Sequence, residues 1–123
     1  MMAFSQKYLS QARTKRKYNN RTTIYKGIAY DSIKEAQYAE ELDWRLKAGE
    51  IQGWERQVKI SLDVNGKHIA NYYCDFKVYN NDGSVEYHEV KGFATGEWKL
   101  KWSLFQALIQ DIDPGAELIV IKV

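Results

Sequence analysis

From Val58 to Val64 apolar and polar residues alternate, with Val58, Ile60, Leu62 and Val64 on one side and Gln57, Lys59, Ser61 and Asp63 on the other. That period of two belongs to a strand with one buried face, here read as running from Trp54 to Val64. Asn65-Gly66 follows at once, a dipeptide suited to a tight hairpin turn, so the run should fold back antiparallel onto Lys67 to Asn71 and beyond. The next stretch, Asn71 to Tyr79, is aromatic and β-branched. It ends in Asn80-Asn81-Asp82-Gly83, after which Ser84 to Lys91 resumes the strand pattern. A three-residue loop of Asn81, Asp82 and left-handed Gly83 pairs Asn80 with Ser84 and sets Asp75 opposite Glu89. The pattern therefore predicts a three-stranded antiparallel meander.

Helical signals flank it. Ile24 to Tyr30 is short and extended, and leads into Ser32 and Glu35, which fit a capping box opening a helix from Ser32 to Ala48 that Gly49 closes. Glu35, Ala39, Leu42 and Leu46 fall on one stripe of that helix. Glu97 to Gln110 reads as a second helix, with Leu100, Leu104 and Leu108 in one row and Trp98, Trp102, Phe105 and Ile109 in the next. Apolar over much of its girth, it should be buried or carry a partner surface. Pro114-Gly115 ends it, and Glu117 to Val123 is a run typical of a strand covered on both faces. Strand, helix and strand in that order form a right-handed parallel crossover. The fold class expected is α/β, more closely an α+β arrangement on a mixed sheet, spanning 24–123. Residues 1–23 lack sustained apolar periodicity and read as an arm.

At 123 residues the chain suits one domain. Its 45% hydrophobic and 28% charged content is that of a soluble globular protein, and no window approaches a membrane span. Met1 to Lys17 has no apolar core of a secretory signal, so a cytoplasmic location is expected. Cys74 is the single cysteine and His68 and His88 the only histidines, which excludes an intrachain disulfide and argues against zinc or histidine-based catalysis. The net charge of +2 conceals a segregation. Seven basic residues and no acidic one lie in the first thirty: Lys7, Arg13, Lys15, Arg16, Lys17, Arg21 and Lys26. The other 93 residues carry 11 basic and 16 acidic side chains. A basic arm on an acidic body points to a polyanionic partner; the bland alternative is a solubilising tail.

Strand alternation puts Tyr73, Asp75 and Lys77 on one face, and Tyr87, Glu89 and Lys91 on one face of the next strand, so that Asp75, Glu89 and Lys91 share a side. Opposed carboxylates destabilise a ladder by roughly 0.2–1 kcal/mol. A divalent cation would relieve that, since Mg²⁺ is commonly held by one or two carboxylates with water and phosphate. Lys91 would then orient a water or meet charge developing on a phosphate. The same residues also suit two half-exposed acids and a solvated lysine on an amphipathic hairpin. Glu35 is either the reciprocal cap of Ser32 or a third carboxylate aimed at the hairpin.

The order helix, three antiparallel strands, helix, parallel strand, with Asp75 on the second strand and Glu89-Val90-Lys91 on the third, resembles the PD-(D/E)xK nuclease superfamily and its restriction-endonuclease-like αβββαβ core. Tyr25 to Ser32 followed by Glu35, then Gly49-Glu50-Ile51, Glu55-Arg56-Gln57, Asp75-Phe76 and Glu89-Val90-Lys91-Gly92, is similar to short phage and prophage nucleases related to Holliday-junction resolvases. The resemblance implies that Asp75 and Glu89 bind metal with the backbone carbonyl of Val90, that Lys91 is catalytic, and that Glu35 acts through a water or a second metal. It assigns Gln57 and Lys101 to the margin of the site, although simple alternation leaves Gln57 on the face opposite Asp75. Tyr73-Cys74 stands where the motif has its nominal proline.

The activity so implied is Mg²⁺- or Mn²⁺-dependent endonucleolytic hydrolysis of DNA, with one or two ions, selective for branched over linear DNA. A phage or prophage origin would place it in the cytoplasm of a bacterial host. Arg13, Lys15, Arg16, Lys17, Arg21 and Lys26 would supply phosphate contacts. One active site per chain makes a homodimer the expected form for paired cuts, with Trp98 and Trp102 on the second helix as a candidate surface. A nickase, a DNA-end-processing nuclease and a non-catalytic DNA-binding module on the same scaffold remain as alternatives.

Overall fold

Among the described residues three hairpin turns join strands, and each contains a glycine at positive φ. Lys26-Gly27 (φ 50 and 78) and Asn65-Gly66 (φ 52 and 77) are two-residue turns of the kind whose twist matches paired strands. At the third, Gly83 has φ 88, Gly83 N–H donates to Asn80 O at 3.1 Å, and Asn80 N–H donates to Ser84 O at 2.9 Å. That is the three-residue loop expected from the sequence. The structure, a computed structural model, describes residues 9–11 and 22–123. Its contacts divide the chain into two units, Met1–Lys47 and Ala48–Val123.

The first unit holds a three-stranded antiparallel sheet and a helix. β1 (Leu9–Gln11) pairs with β2 (Thr22–Tyr25), which pairs in turn with β3 (Ile28–Tyr30). Leu9–Gln11 falls within the stretch read as an arm, and the β2–β3 hairpin occupies what the sequence showed only as an extended run. α1 (Ile33–Lys47) starts where expected, with Ser32 Oγ accepting from Glu35 N–H at 3.1 Å, and Gly49 (φ 75) follows its end. Its buried residues are Glu35, Ala36, Tyr38, Ala39, Glu40 and Leu42. Leu46, expected on that stripe, is 40% exposed. It lies in the last turn of α1.

The second unit is a four-stranded mixed sheet in the order β4 (Ile51–Val64), β5 (Lys67–Asn80), β6 (Val85–Lys91), β7 (Glu117–Lys122). The first three strands are antiparallel, and β7 runs parallel to β6 with Glu89 beside Val120. α2 (Gly96–Ile112) joins β6 to β7, with Thr95 as its N-cap: Thr95 Oγ1 accepts from Trp98 N–H at 3.1 Å. Trp102, Phe105 and Ile109 of α2 pack on Ile60, Leu62, Tyr72, Cys74 and Tyr87 of the sheet to form the core. The apolar girth of α2 is only partly used, since Leu100 is 64% exposed. β7 also departs from its expectation: its apolar residues are half-buried, with Leu118 and Val120 against the core under α2. Among the described residues, no helix is long and apolar enough to cross a membrane.

A bulge in the β4–β5 ladder and a residue of β4 at positive φ bear on which side chains of these strands reach Asp75. Leu62 pairs with Ala70 although Asp63 pairs with His68, so β5 carries one extra residue there. Without that bulge Gln57 would oppose Cys74; with it, Gln57 falls opposite Asp75. The ladder then passes from Val58↔Cys74 to Arg56↔Phe76 over Gln57 and Asp75, and Gln57 has φ 49. The core-facing parity of β5 changes across this point. Tyr72 and Cys74 are core residues, whereas further along Lys77 Nζ lies 5.4 Å from the Tyr87 ring in that same core and Phe76 packs edge-on against Trp54.

Candidate active site

β5 and β6 meet at Asp75 and Glu89, in the register counted from the Gly83 loop: the ladder runs from Tyr79↔Val85 to Phe76↔His88. Both acids are buried, Asp75 to 9% and Glu89 to 3% exposure. Asp75 N–H donates to Glu89 Oε1 at 3.3 Å, and Val90 N–H donates to Asp75 Oδ2 at 2.9 Å, so each carboxylate is tied to the backbone beside the other. Lys91 Nζ lies 3.3 Å from Glu89 Oε2. The three side chains expected to share a side do so.

Gln57 joins them. Its Nε2 donates to Asp75 Oδ1 at 3.4 Å, which corrects the expectation from simple alternation, and the cause is the bulge at Leu62 and Asp63. The other correction concerns tyrosine. Strict alternation put Tyr73 beside Asp75, but Tyr73 is 51% exposed and it is Tyr72 whose hydroxyl donates to Glu89 Oε1. Trp98 Nε1–H donates to the Tyr72 hydroxyl at 3.4 Å, and the Trp98 ring lies 5.0 Å from Lys91 Nζ and stacks on Trp102. Lys91, Glu89, Tyr72 and Trp98 thus form a closed ring of contacts that holds the lysine over an aromatic face. Tyr72 and Trp98 were not read from the sequence as site residues.

The electrostatics follow from burial. Glu89 is pushed up from 4.5 to about 7, first by desolvation and then by the negative charge of Asp75, with the Tyr72 hydroxyl and Lys91 acting against the shift. The Tyr72 hydroxyl and the Cys74 thiol are also raised, chiefly by burial and with Glu89 contributing to both. The site holds two buried acids, with Lys91 paired to Glu89. As a donor set they supply hard oxygen ligands in the number that Mg²⁺ takes from protein when water and phosphate complete its shell. Among the described residues no group of three or more His, Cys, Asp or Glu side chains is placed to hold a metal ion. Any cation here would rest on two carboxylates, with backbone and solvent.

Other expected residues lie elsewhere. Lys101, on α2, pairs with Glu97 one turn away at 3.3 Å. Glu35 belongs to the first unit, buried to 6%, and its assignment to a hydrolytic centre rests on the resemblance. Lys26, also in the first unit, pairs with Asp43 at 3.1 Å. Arg13, Lys15, Arg16, Lys17 and Arg21 lie outside the described residues.

A second polar cluster, Ser61, Asp63 and His68, contains the residue types of a hydrolase triad but not its geometry. Ser61 Oγ at 2.9 Å and Asp63 Oδ1 at 2.8 Å both engage the same ring nitrogen, His68 Nδ1, and Asp63 and His68 are each half exposed. A triad needs serine and carboxylate on different nitrogens. The cluster is a polar clasp on the hairpin beside the Asn65-Gly66 turn.

No curated protein and no solved structure matches the chain. One family model does, over residues 15–119, and that stretch includes Gln57, Asp75, Glu89, Lys91 and Trp98. The chain therefore belongs to the family described as "Protein of unknown function (DUF1064)".

Proposed function

We propose that the protein is a metal-dependent DNA endonuclease of the restriction-endonuclease-like fold, acting on branched DNA. The observation that carries this reading is the meeting of Asp75, Glu89 and Lys91 from adjacent strands, with both acids buried and Glu89 raised to about 7. A purely structural hairpin gains nothing from burying two facing acids.

Asp75 and Glu89 would hold one or two Mg²⁺ or Mn²⁺ ions, with the Val90 carbonyl as a further ligand. When bound, the metal supplies a Lewis acid at the scissile phosphate and increases the acidity of the attacking water. Gln57 and the Val90 N–H orient the Asp75 carboxylate. Tyr72 and Asp75 N–H orient that of Glu89. Lys91, set between Glu89 and the Trp98 ring, holds the water in line and offsets charge on the phosphate. The water oxygen bonds to phosphorus as the bond to the 3′ oxygen breaks; the water gives up a proton to solvent and the departing 3′ oxygen takes one up, leaving the 5′-phosphate and 3′-hydroxyl ends that the resemblance implies. Residues 24–123 would form the nuclease domain, with the basic segment before it adding phosphate contacts. Two copies would make paired cuts.

The test is incubation with a four-way junction, a flap, a linear duplex and single-stranded DNA, each with Mg²⁺, Mn²⁺ or EDTA. Asp75→Asn and Lys91→Ala are expected to remove cleavage while the circular dichroism spectrum stays unchanged. Equal cutting of all four substrates ends the claim for branched DNA. Absence of cutting with either metal ends the claim of hydrolysis, and binding that survives in EDTA would then favour the non-catalytic DNA-binding module. A nick in one strand only, or trimming from ends, would reassign the activity to a nickase or an end-processing nuclease.

A further inference from the structure

The first unit contains an open cavity of about 240 Å³, lined by Tyr25, Lys26, Asp43, Trp44 and Lys47. The β2–β3 turn forms one wall and the last turn of α1 the other. Each lysine lies over an aromatic ring, Lys26 Nζ at 5.5 Å from Tyr25 and Lys47 Nζ at 5.6 Å from Trp44. Asp43 Oδ2 accepts from the Tyr25 hydroxyl at 2.7 Å and from Lys26 at 3.1 Å, so its charge is already matched within the wall. Trp44 is 48% exposed, although an indole of that size stabilises a fold most when covered.

We infer that this cavity binds an unpaired nucleotide of single-stranded DNA, its base stacked on Trp44 and its phosphate between Lys26 and Lys47. A flat aromatic platform with flanking ammonium groups is how proteins bind single strands, because every base has a π face and every linkage a negative charge. Among the lining residues Asp43 pairs with Lys26, and Lys47 adds a second ammonium group. The volume suits one base and not a duplex. The cavity also adjoins the C-terminal turn of α1, where the helix dipole is negative. Phosphate alone is therefore a poor ligand, and stacking supplies most of the affinity. The inference shares its polyanionic partner with the proposed function but does not depend on hydrolysis. A nuclease with such a site would favour branched or flapped DNA over continuous duplex.

The test is fluorescence anisotropy with labelled oligothymidylate and with a blunt duplex, using the full chain in EDTA so that binding is read without cleavage. Trp44→Ala is expected to weaken oligothymidylate binding about tenfold, as loss of one stacked base does, and to leave duplex binding unchanged. Trp44→Phe should restore most of the affinity. Lys47→Ala, an exposed change that folding tolerates, should reduce the salt slope on the single strand by about 0.7, the value for one phosphate contact. Inorganic phosphate should not compete at millimolar levels. Unchanged oligothymidylate affinity in Trp44→Ala, or an equal loss on duplex, would overturn the site. Failure of all cleavage in the junction assay would not.

Discussion

Replacing Glu89 with glutamine isolates the electrostatics of the site. In the metal-free protein the Glu89 carboxyl is raised from 4.5 to about 7 by burial first and by Asp75 second. Across that interval the folded state keeps a proton that the unfolded chain has released, so stability falls as pH rises through the window and levels off above it. The sign is opposite to that of an acid whose pKa is depressed by a salt bridge. At about 1.36 kcal/mol per unit, the full displacement corresponds to about 3 kcal/mol, most of which is lost between about pH 5 and about pH 8. That is on the order of 10 °C in Tm for a chain of this size. The measurement is denaturant unfolding in EDTA at both pH values for wild type and Glu89→Gln. Glutamine does not titrate, so the drop seen in the wild type should exceed that in the variant by about 2–3 kcal/mol. Saturating Mg²⁺ should flatten the wild-type slope, because a cation favours the carboxylate form. Parallel pH profiles for the two proteins would refute the burial argument for Glu89.

Tyr72→Phe removes the hydroxyl that donates to Glu89 and accepts from Trp98, leaving both without that partner. It should cost about 1–3 kcal/mol and move the Glu89 midpoint further up, read from the same pH series; a downward shift would contradict the assigned bond. Phe105 is fully buried against Tyr72, Tyr87 and Trp102, so Phe105→Ala should lose about 3–5 kcal/mol in chemical denaturation. A loss below about 1 kcal/mol would mean that α2 does not pack as described. Gly83→Ala forces a side chain into φ 88 and should cost about 1–2 kcal/mol by thermal melting without altering DNA cleavage.

The candidate site was legible where local chemistry dictates geometry. A loop of Asn81, Asp82 and Gly83 has few conformations compatible with paired strands, and counting back from it reached the Asp75–Glu89 register that the ladder has. The α1 boundaries were legible for the same reason, since Ser32 and Gly49 act on their own backbone. Gln57 and Tyr72 were not, because a single residue inserted at Leu62 and Asp63 shifts every later pairing by one. Nothing in the polarity of Ser61 to Ile69 marks where that insertion falls. The β2–β3 hairpin was missed because Lys26 is an uncommon residue at positive φ.

By itself the amino-acid order determined the two helices, the Asn65-Gly66 and Gly83 turns, the antiparallel meander and the pairing of an aspartate on one strand with a glutamate on the next. Each depends on periodicity or on backbone preferences acting over a few residues. Packing alone decided how much of α2 is covered, the burial that raises Glu89, the change of strand parity at Asp75, and the seating of Lys91 between Glu89 and Trp98. Those properties depend on which distant groups exclude water from a given atom, and residues far apart in the chain acquire that relation only when the sheet and helix close on one another.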